Sequence, residues 1–374
     1  MTPVPRGLFV TFRAFLNPPM GGVQLCTREY IDVIRAAGID LEFCTFDADR
    51  RLSTRLIRRF NSSHYFRPAD PGLPGRLAKQ IASVRPDYLF LNQSNLAALA
   101  AKLRDHVPES CKIVLLSHGL ESTDLLHLVR TAQCLPLSPR VRPTPASALG
   151  RELLSESAFR GDIDLVVALS PSDVVLEQWV GAKRVAWLPR IVISKPLDWR
   201  PTGNRIGYLG TLDHAPNLEG LVQVLNELEE RDTRQLRVRV VGRPPATGRW
   251  LARSFRSVDY LGSLDDSGLA EEASSWNAMI HPQFYCARGC STKLATGIGW
   301  HIPIATTDLG CRGYEWKKGG FVVATSTKDF AEQSLRLLDL GVASAARKEI
   351  VELALSSPTI EEVALRLRRI LSDS

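Results

Sequence analysis

The sequence predicts an α/β protein made of two successive parallel-sheet domains. Strand-like and helix-like segments alternate from end to end, the alternation breaks once near the middle, and it then restarts. At 374 residues the chain has length for two separate cores. Its 44% apolar and 23% charged content matches a folded globular protein and excludes a disordered one.

In the first half, Leu8–Phe12 reads as a buried strand. The Gly-rich turn Met20-Gly21-Gly22-Val23 follows, and then a helix in which Val23, Cys26, Tyr30, Val33 and Ile34 recur at helical spacing until Gly38 stops it. Asp40–Phe46, Tyr88–Leu91, Ile113–Leu116 and Leu165–Leu169 are further strands, with helices near Asn95–Arg104, Thr123–Thr131 and Pro171–Trp179. Pro136–Pro145 holds four prolines and is a loop. The stretch Lys195–Gly203 reads as a linker. Beyond it Arg205–Leu209, Leu236–Val241, Asp259–Leu261, Ala278–His281, Ile302–Ala305 and Phe321–Val323 are strands. Helices lie between them near Asn217–Glu230, Gly268–Ser275 and Ser291–Gly297, and a last helix spans Thr359–Leu371. The expected division is 1–193, 204–358 and a terminal segment 359–374. Two such domains around one linker enclose a cleft, the usual place for a ligand.

Composition excludes several classes. The longest apolar runs are strand-length, and Arg13 interrupts the first of them, so neither a membrane span nor a signal segment is expected. The seven cysteines (Cys26, Cys44, Cys111, Cys134, Cys286, Cys290, Cys311) form no tight framework and point to a reducing, cytoplasmic setting. Cys286 and Cys290 lack a second pair at zinc spacing, so no metal is expected. The triplet Asp47-Ala48-Asp49 could hold a divalent metal on a diphosphate, but it reads as a loop. The net charge of +7 owes much to arginines of the first half, among them Arg50, Arg51, Arg55, Arg58, Arg59, Arg67 and Arg76. Such charge suits phosphate-bearing partners without choosing among nucleic acid, anionic lipid and nucleotide. Arg50–Phe60 forms an amphipathic pattern that fits either an anionic membrane surface or a core-facing helix with a solvated basic side. Basic and aromatic residues do not interleave, so no nucleic-acid partner is expected.

The most informative segment runs from Arg205 to Leu221 (RIGYLGTLDHAPNLEGL). A strand ends at Gly210, Thr211 offers a hydroxyl, and Pro216-Asn217 opens a helix. Alone this is an ordinary strand–loop–helix turn. It is followed in order by Val240-Val241-Gly242-Arg243, Tyr260-Leu261-Gly262-Ser263-Leu264-Asp265-Asp266, Ile280-His281-Pro282, Arg288-Gly289-Cys290-Ser291-Thr292-Lys293-Leu294 and Ile302–Gly310. As an ensemble these pieces resemble the C-terminal domain of family-4-like GT-B glycosyltransferases over about residues 205–325. The first half agrees through the Gly21-Gly22 turn, Ser117-His118-Gly119 and Ala168-Leu169-Ser170.

The resemblance implies a GT-B fold, two Rossmann-like parallel-sheet domains facing across a cleft, with the last helix crossing back to the first. It also implies a glycosyltransferase that moves a sugar from a nucleotide diphosphate to a glycan or lipid-linked acceptor, metal-independent and retaining, in envelope polysaccharide or glycolipid synthesis. The donor would be a substrate, so no cofactor is expected, and peripheral contact with the inner membrane face is compatible with the basic first half. Catalytic roles fall to His118, Lys293 and Arg243, with Lys293 on a solvated first helical turn. Donor binding falls to Gly210, Thr211, Leu261, Arg288, Gly289, Cys290, Ser291, Thr292 and Thr296, whose turn would present free amides to the diphosphate. Gly21 and Gly22 would face the acceptor and the leaving phosphate. Glu121 and Asp124 could serve as a base for an inverting reaction or lie on a helix surface. One departure stands out. The two glutamates, eight residues apart, that the resemblance implies are here Arg288 and Thr296. That leaves open a non-catalytic relative binding nucleotide or a partner, and an epimerase acting on a nucleotide sugar.

Overall fold

The structure, a computed structural model, describes residues 4–17, 21–47, 72–131, 146–231 and 235–373. The Arg50–Phe60 segment, the end of the Asp47-Ala48-Asp49 triplet and the Pro136–Pro145 loop lie outside the described residues.

Two six-stranded sheets form, and every strand pairing in them is parallel. The first is ordered β2-β1-β3-β4-β5-β6, from β1 (Arg6–Phe12), β2 (Asp40–Phe46), β3 (Tyr88–Asn92), β4 (Lys112–Leu116), β5 (Leu165–Ala168) and β6 (Val185–Trp187). The second is ordered β12-β11-β10-β7-β8-β9, from β7 (Arg205–Thr211), β8 (Arg237–Arg243), β9 (Val258–Gly262), β10 (Ala278–His281), β11 (Ile304–Thr306) and β12 (Val322–Val323). Among the described residues the helices of the first half are α1 (Gly22–Ala36), α2 (Leu73–Val84), α3 (Ala98–Leu103), α4 (Glu121–Thr131), α5 (Ala146–Ala158) and α6 (Pro171–Trp179). Those that follow are α7 (Ala215–Glu229), α8 (Pro245–Ser254), α9 (Asp266–Ser274), α10 (Thr292–Gly299), α11 (Thr327–Arg336), α12 (Leu340–Ser356) and α13 (Ile360–Ser372).

Parallel sheets covered on both faces demand strands that are apolar on both sides. β3, β4 and β5 meet that demand: Leu89, Phe90, Leu91, Val114, Leu115, Val166 and Val167 are all fully buried. Alternation then sorts them between two cores. Leu8, Val10, Leu89 and Leu91 pack with α2 and α3, whereas Phe9, Phe90, Val114 and Val167 pack with α1 and α13. The second sheet likewise separates a core under α7 and α11 from one under α10 and α12.

β6 was not apparent in the sequence, because it is a three-residue edge strand, half-buried, preceded by Lys183 and Arg184. Helix α7 begins two residues before Asn217, with His214 as N-cap and Pro216 in the first turn, where its missing amide costs nothing.

The last helix follows the second domain but belongs to the first domain's core. Thr359 and Glu362 cap its start reciprocally. Val363, Ala364, Leu367 and Leu371 join Cys26, Ile31 and Ile34 of α1. At its end Lys112 Nζ donates to the Leu371 carbonyl at 3.1 Å and Arg184 donates to that of Ile370 at 2.8 Å, so cations satisfy the orphan carbonyls and the negative dipole end. No helix among the described residues is long and apolar enough to cross a membrane.

Replacing Leu367 with alanine empties a fully packed position in this crossing and should cost about 2–5 kcal/mol in urea unfolding. Leu365→Ala, on the exposed side of the same helix, should stay within about 0.5 kcal/mol. Equal losses would mean that the helix does not dock through this face.

Candidate functional site

The carboxyl ends of both sheets meet. From the first domain, β4 runs into Ser117-His118-Gly119. His118 Nε2 lies 2.9 Å from Asn92 Oδ1. The Asn92 amide gives both its hydrogens to the Thr11 and Thr27 hydroxyls, at 2.9 Å each, so its oxygen accepts and His118 Nε2 carries the proton. Burial, reinforced by Arg288 and Arg190 nearby, lowers the His118 pKa to about 3 and keeps the ring neutral. Behind it Ser117 Oγ donates to Glu177 at 2.6 Å, and Glu177 in turn pairs with Arg160 at 2.5 Å, both fully buried.

The second domain presents the loop before α10. Ser291 caps that helix by accepting the Leu294 amide at 3.3 Å, and its hydroxyl lies 2.6 Å from His281 Nε2. Tyr314 donates to the Ser291 carbonyl at 2.6 Å. Burial, then the nearby Lys293, lowers the His281 pKa to about 3. The Thr296 hydroxyl turns back to the Thr292 carbonyl at 3.0 Å.

Lys293 is not the solvated lysine expected at a helix start. Its ammonium donates to Asn217 Oδ1 at 2.8 Å and sits 5.7 Å from the centre of the Tyr208 ring. Gly210 leaves room for it: a Cβ there would stand 3.0 Å from Nζ. Desolvation lowers the Lys293 pKa from 10.5 to about 7.

Glycines allow the two walls to touch. Gly119 and Gly289 both have positive φ, +89° and +64°. A Cβ on Gly119 would collide with the Gly289 amide nitrogen, and one on Gly289 would come within 2.8 Å of the His118 carbonyl. Gly22, first residue of α1, would place a Cβ 3.1 Å from Thr292 Oγ1, the first residue of α10. Two helix N-termini therefore converge on one spot beside Lys293.

Carboxylates of the first domain grip the same loop. Asp124 accepts the Arg288 amide at 3.1 Å, the Arg288 guanidinium at 3.2 Å and His214 Nε2 at 3.0 Å, and Glu121 pairs with Arg288 as well. Glu121 and Asp124 are thus not surface residues; they lie in the contact between domains. Asp173, whose pKa burial raises to about 6, accepts the Ser170 hydroxyl at 2.6 Å and the Gly289 amide. The amides of Arg288 and Gly289 are consequently taken. Those of Thr292 and Lys293 have no partner among the described residues. Arg190 Nη1 reaches Cys290 Sγ at 3.4 Å.

Arg243 and Thr211 are exposed neighbours at the ends of paired strands, the Arg243 carbonyl accepting the Leu212 amide at 2.6 Å. Leu261 packs into the core under α10 and α12. Gly21 caps α1 through its backbone, its amide donating to Gln24 Oε1 at 3.1 Å. Asp47 pairs with Arg13 at 3.5 Å, and no group of three or more His, Cys, Asp or Glu side chains among the described residues could hold a metal. Sequence reasoning missed Tyr208, Asn217, Asn92 and Asp173 as site residues. Asn217 carried a signal, since it opens the helix in the most informative segment.

No protein-family model matches the sequence, and a search of curated proteins finds no match. Solved structures do match. The sucrose-phosphate synthase of Thermosynechococcus elongatus superposes with a TM-score of 0.67 at 16% identity, over 99% of this chain and 100% of that one. The chain has the GT-B fold. The α,α-trehalose 6-phosphate synthase of Burkholderia multivorans gives 0.64 at 12% identity, over 100% of this GT-B chain and 99% of the other. Anabaena HepE, in complex with UDP-glucose, gives 0.62 at 12% identity, over 99% and 100%.

Lys293 makes the ligand-free protein pH-sensitive in a defined direction. With its pKa lowered to about 7 from 10.5, the unfolded chain binds more protons than the folded one between those values. This group therefore destabilises the fold fully below pH 7, and the penalty fades as pH rises toward 10.5. Lys293→Met should raise the ligand-free Tm at pH 6.5–7 relative to the parent, with the gain shrinking by about pH 9.5. A gain that does not vary with pH would place the ammonium in water.

Proposed function

We propose that this protein is a glycosyltransferase that moves a sugar from a nucleotide diphosphate donor to a glycan or lipid-linked acceptor. The observation that carries the reading is the convergence of the α1 and α10 N-termini beside Lys293. Helix N-termini offer unpaired amides and positive dipole ends, a ready site for a diphosphate. The GT-B fold, shared with a structure that holds UDP-glucose, supports the same class of donor. So does the likeness, at 13% identity and a TM-score of 0.62, to a lipopolysaccharide outer core galactosyltransferase.

In this reading the diphosphate lies against the Thr292 and Lys293 amides and the start of α1. Bond cleavage gathers negative charge on the departing diphosphate, and the Lys293 ammonium neutralises it as it grows, a task that needs no metal. Exposed Arg243 supplies a second cation from the strand edge. Neutral His118, fixed by Asn92, marks the sugar side of the cleft, where its ring orients a hydroxyl without competing for charge. Glu121 and Asp124 are tied to Arg288 and His214, so neither is a free base. That supports retention of anomeric configuration over inversion. The acceptor belongs to envelope polysaccharide or glycolipid assembly on the cytoplasmic side, where nucleotide sugars are made and where a basic first half meets anionic lipid.

Screening nucleotide sugars for nucleotide release, with and without glycan acceptors, tests the class directly. Release that depends on acceptor is expected. An altered sugar still attached to nucleotide would mean an epimerase, and binding without turnover would mean a non-catalytic relative.

Lys293→Ala removes a charge-assisted contact worth roughly 1.5–3 kcal/mol and should weaken nucleotide diphosphate binding about ten- to a hundred-fold. Turnover should fall at least as far, because the charge it faces is greatest in the transition state. His118→Ala should cut turnover while leaving nucleotide affinity nearly unchanged. Unaltered nucleotide affinity in Lys293→Ala, measured by calorimetry, would put the donor elsewhere.

A further inference from the structure

Lys293 has a partner whose chemical type is informative. Asn217 Oδ1 accepts from the ammonium at 2.8 Å, while Asn217 Nδ2 donates to the Thr211 carbonyl at 3.2 Å. The second bond fixes which end of the carboxamide faces the lysine. Asn217 sits in the first turn of α7, held there by the His214 N-cap and Pro216, so the oxygen is presented from a rigid helix start. The ammonium is confined on its remaining sides by Gly210, which offers no side chain, and by the Tyr208 ring.

The charged surroundings complete the case. Among the described residues the titratable groups facing Lys293 are Tyr208 on β7 and His281 on β10. Burial raises the Tyr208 pKa and lowers that of His281, so both are neutral near pH 7. α1 brings the Gly22 end of its helix against the neighbouring Thr292. Carboxylates are abundant one step away, at Glu121, Asp124 and Asp173, yet all are committed to Arg288, His214, Ser170 and the loop amides. The residue that touches the ammonium is instead a neutral acceptor of nearly the same shape as aspartate.

We propose that Asn217 is the positioning residue of Lys293: its neutral carboxamide oxygen anchors the ammonium without cancelling its charge, which leaves that charge for a diphosphate. The proposal deepens the glycosyltransferase reading and rests on its diphosphate site. An aspartate at 217 would form a closed ion pair, satisfy the lysine internally and leave the incoming anion to compete with a fixed carboxylate. A side chain without an acceptor would leave a long, flexible lysine desolvated and unanchored.

The two cases move the lysine in opposite directions. An opposite charge within about 4–6 Å favours the ionised form and shifts a pKa by about 1–3 units. Asn217→Asp should therefore raise the Lys293 midpoint by at least about one unit. Asn217→Leu, which loses both hydrogen bonds and adds no charge, should lower it. The experiment is a pH titration of the Lys293 side chain by NMR in the full-length ligand-free protein, with Lys293→Met used to assign the signal. Calorimetric binding of UDP and of inorganic pyrophosphate is measured alongside. Both variants should bind these anions about tenfold or more weakly than the parent at pH 7, whereas uridine, which carries no phosphate, should bind each protein alike. Midpoints that move in the same direction in both variants, or UDP affinity unchanged in Asn217→Asp, would overturn the proposal. A parent protein that binds neither UDP nor pyrophosphate would overturn the diphosphate site itself, while the titration still decides what Asn217 does to Lys293.

Discussion

One buried cation holds the two domains in register. Arg190 is 4% exposed and pairs with Glu29 of α1 through Nε, at 2.8 Å, and Nη2, at 2.8 Å. The same carboxylate accepts the Ile191 amide at 3.1 Å, so both the side chain and the backbone of this strand exit are fixed to the first domain. From there Arg190 reaches across. Its amide donates to the Gly313 carbonyl at 3.0 Å, and its guanidinium meets Cys290 in the loop that opens α10. A buried ion pair of this kind adds little net stability, because desolvation offsets attraction. Its effect is geometric, since a buried charge has only one satisfactory place to be.

The same logic runs through the rest of the contact between domains. Acidic side chains of α4 and α6 meet a cation and two amides on the loop at 288–289, and His127 of α4 meets Glu219 of α7. Arg130 lies 4.2 Å over the Tyr285 ring. A purely apolar contact would tolerate sliding by a fraction of a turn. This one does not, because each displacement would leave a desolvated charge or amide unpaired. Gly119 and Gly289 matter for the same reason, as only residues without a side chain let the backbones come close enough for these bonds to form.

The fold was legible in the sequence because burial on both faces leaves an uninterrupted apolar run in each central strand. Where that rule weakened, legibility failed. β6 is a short edge strand, and α5 turns Glu152 and Glu156 inward while exposing Leu154, which reverses the pattern that marks a helix. The glycines could be read because a close backbone approach demands that residue type, whereas the burial of Lys293 could not, since a lysine at a helix start is ordinarily solvated. The carboxylates could be read only in part: Glu121 and Asp124 stood out as possible bases, not as partners of Arg288, and Asp173 did not stand out. Glu121, Asp124 and Asp173 sit in the first turns of helices, where acidic residues are favoured anyway, so their sequence context looks like routine capping. Only the approach of the second domain gives them partners. Asn217 could be read as a helix start, but its bond to Lys293 could not, since the lysine arrives from 76 residues away.

Desolvation sets the protonation of the buried groups in and behind the cleft. It drives His118 and His281 to neutrality, with pKa values of about 3, and brings Glu156 and Asp173 up to about 7 and 6. Their effects on folding oppose one another. The histidines make the fold more stable as pH rises through the range from about 3 to 6.5, and the raised acids make it less stable between their ordinary values and about 6–7. Lys293 acts above that range, where a small change in its surroundings decides whether it carries a proton. Any anion brought beside so desolvated a lysine would favour its charged form, because screening by water is weak there. The burial that destabilises the lysine in the ligand-free fold is the same burial that would strengthen its pairing with an opposite charge.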